Sequence, residues 1–193
     1  MTALENQTFG EEYRVTGHID VFSINKKMKA FECYESISAF NQLQNLKDGF
    51  LVTANLLVRA KLFKRVVLFD EHPFSGGDKE WTRSATALGH KIKYVPNSIV
   101  NHPARSTWPE MTQKLRRTTG GKITIFPDYK ISAFRSFFPP IEAASHIIKH
   151  KNSNLRVKTL VFLVAYRIQA LLIFFINKKR AIHTRAYMRE HLP

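Results

Sequence analysis

The sequence predicts a mixed α/β fold, and the support comes from segments with two different periodicities. Apolar residues recur at three- and four-residue steps from Ala30 to Leu46, which is typical of an amphipathic helix. Polar and apolar residues alternate at 18–22 and at 91–95, as they do along half-buried strands. The chain of 193 residues, 44% of them apolar, is long enough for one domain with its own core.

The remaining elements are predicted from turn and capping signals. In chain order, we expect strands at about 18–22, 50–58, 91–95 and 98–101, and helices at 30–46, 78–88 and 111–118. Asp48-Gly49 marks the end of the first helix, and Pro96-Asn97 separates the last two strands. Gly120-Gly121 is predicted to end the third helix, which is strongly basic.

Two glycines precede an acidic residue at the start of the second predicted helix, in the order Ser75-Gly76-Gly77-Asp78. Glycines allow the backbone to approach a ligand closely, and a carboxylate held at a loop-to-helix junction is well placed to act as a general base. The spacing of Ser75 and Asp78 also fits a helix cap. Taken alone, Asp78 fits a cap better than a catalyst.

The order and spacing of five motifs between residues 53 and 103 favour a catalytic role for Asp78 over a cap. The motifs are Thr53-Ala54-Asn55, Phe69-Asp70-Glu71, Gly76-Gly77-Asp78-Lys79-Glu80, a strand motif from Gly89 to Pro96, and His102-Pro103. The set resembles the second half of a family 2 glycosyltransferase, over about residues 15–120. The resemblance implies a GT-A (Rossmann-like) fold and transfer of a sugar, with inversion, from a nucleotide-sugar donor to an acceptor hydroxyl.

The resemblance also implies roles for individual residues. Asp78 falls on the position of the family's general base, and His102 on that of a metal-contacting histidine. The residues implied to bind substrate are Thr53, Asn55, Gly76, Gly77, Glu80 and Trp81. Without the resemblance, Thr53 and Asn55 would be expected to satisfy backbone groups near a strand end, and His102 to be a hydrogen-bonded structural residue.

One part of the family pattern is missing, because no Asp-x-Asp sequence occurs anywhere in the chain. GT-A enzymes place metal- and nucleotide-binding acids in an early half of the domain. We therefore expect residues 1–127 to form only the C-terminal half of such a domain. Mg or Mn would then bind only together with the missing half, and the isolated chain would be inactive. Truncation, a split gene and a degenerate copy all remain open.

Residues 128–193 are predicted to form a basic, apolar helical extension. From His146 onward there are ten Lys or Arg residues and one acid, and the segment between Lys158 and Lys178 is almost entirely apolar. Arg167 near its middle, and basic residues at both ends, disfavour a membrane span and favour an interfacial helix. A helix packed on the missing half or on a partner is the alternative.

Composition limits the compartment and the partners. Cys33 is the single cysteine, so no internal disulfide can form, and no apolar run follows Met1, which predicts that there is no signal peptide. The net charge of +15 indicates an anionic partner, namely nucleic acid, a membrane surface or phosphorylated substrates. We expect a cytoplasmic protein, peripheral at the inner face of the cell membrane.

Three functions follow, in order of preference. The first is a glycosyltransferase, or a fragment of one, that acts on a glycan or lipid-linked acceptor in cell-envelope polysaccharide synthesis. The second is a non-catalytic membrane-surface or partner-binding subunit that keeps the fold without the chemistry. The third, nucleic-acid binding, has the charge in its favour but no recognisable motif, so nucleic acid is not expected as a partner.

Overall fold

A three-stranded sheet and the helices around it organise the computed structural model, which describes residues 10, 12–66, 75–125, 130 and 141–191. At 124, 125, 142 and 181–191 only the backbone is described. The strands are β1 (Tyr13–Phe22), β2 (Leu56–Val58) and β3 (Lys91–Pro103). The helices are α1 (Ala30–Ser38), α2 (Gln42–Lys47), α3 (Ala60–Arg65), α4 (Gly77–Ala87), α5 (Trp108–Ile125), α6 (Ile141–Ile148) and α7 (Ser153–His191).

The sheet is mixed, with β1 between its two neighbours in the order β2-β1-β3. Strand β1 pairs antiparallel with β2 and parallel with β3. Because parallel neighbours need a crossover connection, the four helices α1–α4 all fall between β1 and β3 in the sequence. The mixed α/β class is therefore confirmed, whereas the GT-A topology stays a prediction.

The prediction of two short strands at 91–95 and 98–101 was wrong, because β3 is one continuous strand with a bulge. Gly17 pairs with Val95 but His18 pairs with Ile99, so residues 96–98 have no partner in the register. A Cβ on Gly17 would lie 2.0 Å from the carbonyl oxygen of Ser98, so only glycine fits there. Pro96-Asn97 does mark an irregularity in the chain. The irregularity is a bulge within one strand and not a turn between two strands.

The predicted strand at 50–58 is also shorter than expected. Residues Thr53–Asn55 form a short 3-10 helix, and only Leu56–Val58 pair with β1. The side-chain amide of Asn55 donates to the carbonyl oxygens of His18 and Ser98, at 2.8 and 2.9 Å. The turn at 53–55 thus places Asn55 where it bridges β1 and the bulge of β3.

The predicted helix at 30–46 is two helices, separated at Phe40. Phe40 has a φ of 55°, a left-handed conformation that is uncommon for a bulky residue. Asn41 begins α2, since its side chain accepts a hydrogen bond from the N–H of Gln44 at 3.1 Å. The apolar spacing continues through the break, which is why periodicity alone predicted one helix.

Apolar packing and the hydrogen bonds of Arg14 both fix helix α4 to the rest of the fold. Trp81 and Ala85 pack against Leu62 and Val66 in an apolar cluster. The guanidinium of the buried Arg14 donates to the carbonyl oxygens of Thr82 and His90 and to the hydroxyl of Thr86. Burial lowers the pKa of Arg14 to about 10, so the side chain remains charged at neutral pH.

Helices α5 and α7 form a second layer with α1. Helix α5 continues through Gly120-Gly121 instead of ending there, which corrects the predicted end. Met111 and Leu115 pack against Phe162, Tyr166 and Ile173 of α7. The C-terminal helix therefore shares a core with the rest of the fold. The predicted boundary between residues 127 and 128 lies outside the described residues.

Candidate active site

One cavity of about 750 Å³ gathers the loops at one end of the sheet. Its walls come from the α1–α2 break, the 3-10 turn, the start of α4, the end of β3 and helix α5. These segments are far apart in sequence, and the sheet brings them together because β1 joins β2 and β3 side by side.

The structure brings five of the eight predicted site residues to this cavity. They are Thr53, Gly76, Gly77, Asp78 and His102. Asn55, Glu80 and Trp81 do not line it. The motif Phe69-Asp70-Glu71 lies outside the described residues.

The three remaining residues have other surroundings. Trp81 is 3% exposed and packs in the apolar cluster of α4, with its ring 5.1 Å from that of Phe63. Asn55 bridges β1 and the bulge of β3. Glu80 is exposed on the outer side of α4. Trp81 and Asn55 thus contact other parts of the protein, and Glu80 faces solvent. Their implied roles in substrate binding stay predictions.

Asp78 occupies the second position of α4, and it is half-buried at the cavity wall. Gly76 precedes the helix at its N-cap position, with a φ of 99° that glycine adopts at little cost. The N-cap residue is a glycine, so no side chain caps the helix from that position. Asp78 caps the first turn from within the helix instead, since its Oδ1 atom accepts the exposed N–H of Lys79 at 2.8 Å.

The first turn of α4 is tied to the segment that leads into the 3-10 turn. The hydroxyl of the buried Thr82 donates to the carbonyl oxygen of Asp78 at 2.7 Å and accepts the N–H of Leu51 at 3.0 Å. The backbone that carries Asp78 is therefore fixed relative to the backbone that carries Thr53.

His102 lies at the end of β3, and its ring is 4.5 Å from the ring of Phe40. Its Nδ1 is 2.9 Å from the carbonyl oxygen of Pro103. A proton on Nδ1 would serve that hydrogen bond and leave the Nε2 lone pair available as a metal ligand. Within the part of the chain that the structure describes, however, no group of three His, Cys, Asp or Glu residues could hold a metal ion. The donor set in the cavity is therefore incomplete for a divalent cation.

The cavity is predominantly cationic. Lys79, Arg105, Lys114 and Arg117 line it together with Asp78. Burial, reinforced by the nearby Arg83 and Lys122, lowers the pKa of Lys79. The ammonium of Lys79 also lies 4.4 Å from the centre of the Phe50 ring, within the range of a cation–π contact.

Glu35 of α1 holds two of these cations in place. Its carboxylate accepts the Arg105 guanidinium at 2.9 Å and the Arg105 backbone N–H at 3.1 Å, and it also pairs with the Lys114 ammonium. Burial alone would raise the pKa of Glu35, but the charge and hydrogen bond of Lys114, with those of Arg105, hold it below its ordinary value. Burial lowers the pKa of Lys114 in spite of Glu35.

Sequence reasoning missed Glu35 and Arg105 as site residues. The partners of Glu35 are 70 and 79 residues away along the chain, so no local pattern marks it. Lys114 and Arg117 belong to the helix that the sequence marks as strongly basic, which alone does not place them at the site. Their helical spacing with Thr118, which also lines the cavity, shows that one face of α5 points into it.

Gly121 explains how α5 approaches the loop before Asp78. A Cβ on Gly121 would lie 2.1 Å from the carbonyl oxygen of Ser75, whereas a Cβ on Gly120 would meet nothing within 4 Å. We expect Gly121→Ala to lower the free energy of unfolding by about 1–3 kcal/mol, as overpacking does. Gly120→Ala should raise it by up to about 1 kcal/mol, because alanine favours a helix over glycine. Urea unfolding of both variants checks this, and equal effects would contradict the close approach.

Comparison with known proteins gives one informative similarity. A segment of 109 residues, 56% of this chain, is 33% identical to glycosyltransferase AglE from Haloferax volcanii. The chain covers 36% of the length of that protein. No protein-family model and no solved structure matches the chain. The class that fold and similarity support is therefore glycosyltransferase in general: a mixed α/β chain that is similar, over part of its length, to a protein of that class.

Proposed function

We propose that this chain supplies the acceptor side of an inverting glycosyltransferase of family 2, with Asp78 as the general base. The observation that carries the proposal is the single cavity in which Asp78, Thr53 and His102 face four cationic side chains. The similarity to a glycosyltransferase supports the same class of reaction. We propose the GT-A topology for residues 1–127 on the same grounds.

The chemistry needs one carboxylate and a positive surface. Asp78 takes the proton of the acceptor hydroxyl while the hydroxyl oxygen attacks the anomeric carbon from the side opposite the leaving group. The bond from that carbon to the nucleotide diphosphate breaks, and the configuration inverts. The negative charge that develops on the diphosphate is stabilised by cations in a partly dehydrated cavity, here Lys79, Arg105, Lys114 and Arg117.

Thr53 and the two glycines complete the substrate wall. Gly76 and Gly77 present backbone without side chains next to Asp78, which leaves room for a sugar. A divalent metal enters the proposal only as a group to which, among the described residues, His102 would offer one ligand, its Nε2 atom. Because the remaining ligands would come from outside the described residues, no step of the reaction is assigned to the metal.

The proposal requires a nucleotide-binding half in addition to these residues. We expect the purified 193-residue chain alone to transfer no sugar and to bind nucleotide-sugars weakly, because it contains no Asp-x-Asp motif. Transfer of labelled sugar from a panel of nucleotide-sugars, with and without membranes from cells that make the protein, measures this. Robust turnover by the purified chain would show that the donor half is not needed.

We further propose that the protein lies on the inner face of the cell membrane through α7. Within the described residues, Ser153–Arg180 is one helix long and apolar enough to cross a membrane by length and composition, which is weak evidence by itself. One face of this helix is buried in the core with α1 and α5, while Val161, Leu172 and Phe175 are exposed. A helix that gives one face to the protein and another to an apolar phase fits the membrane interface better than a span.

The membrane proposal predicts binding to anionic vesicles that weakens as salt is added, since each basic residue near such a surface contributes about 1 kcal/mol. We expect Leu172→Ser with Phe175→Ser to lower vesicle binding in a flotation assay. Ile24→Ser with Leu88→Ser, which also removes two exposed apolar residues, should not. Equal loss in both variants would place the contact elsewhere. Deletion of residues 146–193 is a poorer test, because α7 is part of the core.

A further inference from the structure

A second groove, of about 870 Å³, lies between α5 and α7. Helix α5 contributes Gln113, Arg116, Arg117, Gly120 and Ile123, which recur at helical spacing on one face. Helix α7 contributes Gln169, Ile173, Ile176, Asn177 and Arg180, also from one face. The two faces form opposite walls of one groove. Ile173 belongs to the core that α5 and α7 share, whereas Arg116, Arg117 and Arg180 are exposed and lie outside that core.

The walls combine positive charge, amide groups and apolar surface. Arg116, Arg117 and Arg180 supply three guanidinium groups, and the described residues that line the groove include no Asp or Glu. A guanidinium presents its donors in a planar fork that matches two phosphate oxygens, and the amides of Gln169 and Asn177 add neutral donors. We infer that this groove binds a phosphate group carried by a membrane lipid.

The apolar part of the groove favours a lipid over a soluble phosphate ester. Ile176 lines it and is exposed, and so are the neighbouring Leu172 and Phe175 of the same helix, whereas Ile173 is buried in the core. A phosphate bound by the arginines would therefore have an apolar surface beside it for acyl or isoprenoid chains. The described lining residues include no aromatic side chain on which a nucleic-acid base could stack.

Arg117 lines both the groove and the candidate active-site cavity. The groove and that cavity therefore meet at this residue. If Asp78 is the general base, the groove would hold a lipid-borne molecule close to it. This part of the inference rests on the proposed function. The phosphate-binding inference itself does not depend on sugar transfer.

The test compares two anionic lipids, each mixed into vesicles of an uncharged glycolipid at the fraction that gives the same measured zeta potential. One is phosphatidic acid, which exposes a phosphate monoester, and the other is oleic acid, which exposes a carboxylate. We expect the full chain to bind the phosphatidic acid vesicles about tenfold more tightly in a flotation assay. Arg116→Gln with Arg180→Gln should abolish that preference, and both residues are exposed, so the fold should tolerate the change.

A matched variant, Lys149→Gln with Lys158→Gln, removes two exposed charges outside the groove. It should weaken binding to both kinds of vesicle equally and keep the preference for phosphate. Equal binding of the unaltered chain to both lipids, or a preference that survives in the arginine variant, would overturn the inference. A third arm adds inorganic pyrophosphate without vesicles. Arginine-dependent binding of pyrophosphate, with no preference between the vesicles, would overturn the lipid assignment and make the ligand a soluble phosphate.

Discussion

Asp78→Asn is expected to lower sugar transfer by about 10²–10⁴-fold, which is the usual contribution of a general base. Asparagine has the same shape, and its Oδ1 can still accept the N–H of Lys79, so the start of α4 should be unchanged. The loss should appear in the rate of transfer and leave donor binding nearly intact, because the proton is removed only when the acceptor attacks. The measurement is transfer by membranes or complexes that contain the nucleotide-binding half.

Glu80→Gln is the matched control for this prediction. It removes one negative charge two residues further along α4, from an exposed side chain that does not line the cavity. We expect it to keep transfer within about twofold, as changes at exposed positions usually have small effects. Equal transfer by Asp78→Asn and the unaltered protein would remove Asp78 from the mechanism. A different outcome, no transfer in any preparation including the unaltered protein, would favour the non-catalytic membrane or partner-binding subunit.

The sequence located the candidate site better than it predicted the elements around it. The turn at Gly76 and Gly77 could be predicted from local sequence alone, because glycine before an acidic residue is typical of a turn that leads into a helix. The structure places Asp78 and His102 in one cavity, as expected for residues at ends of elements beside one sheet edge. Their chemical roles stay predictions, because geometry alone does not test them.

The failures share one physical cause, which is that distant contacts override local periodicity. The helix at 30–46 breaks where Phe40 turns its ring toward His102, a contact that the spacing of apolar residues does not record. Gly121 reads locally as a helix stop, yet it is glycine because the Ser75 carbonyl lies against it. Trp81 stands next to the site motif in sequence, but its helical face points to the core.

The four cationic side chains that line the cavity were the least predictable part of the site. Arg105 and Lys114 both pair with Glu35, which lies on a helix that the sequence marks chiefly by its apolar residues. A buried carboxylate with two basic partners is defined by the tertiary structure. Removing the Glu35 carboxylate should therefore destabilise the fold at least as much as overpacking at Gly121 does.

Glu35→Ala is expected to lower the free energy of unfolding by about 3 kcal/mol. Breaking a buried ion pair by removing one partner commonly costs about 3–5 kcal/mol. The lower end applies because the side chains of Arg105 and Lys114 keep 25% and 21% of their exposure, so water can partly solvate them. Urea unfolding measures the loss. Glu35→Leu combined with Lys114→Met should recover part of it, since an apolar pair leaves one fewer uncompensated charge. An unfolding free energy unchanged by Glu35→Ala would contradict the pairing.

The same pair predicts how stability depends on pH. The pKa of Glu35 in the folded protein lies below its ordinary value of 4.5, mainly because Lys114 and Arg105 outweigh the opposing effect of burial. A carboxylate with a lowered pKa stabilises the fold above its unfolded pKa, and that contribution is lost as the pH falls through the folded pKa. Stability should therefore decrease below about pH 4.5, and Glu35→Gln should make the decrease smaller. Glu32, whose pKa is also lowered, remains in both proteins, so their difference isolates Glu35. Parallel acid-unfolding curves would show that Glu35 carries no charge-dependent stability.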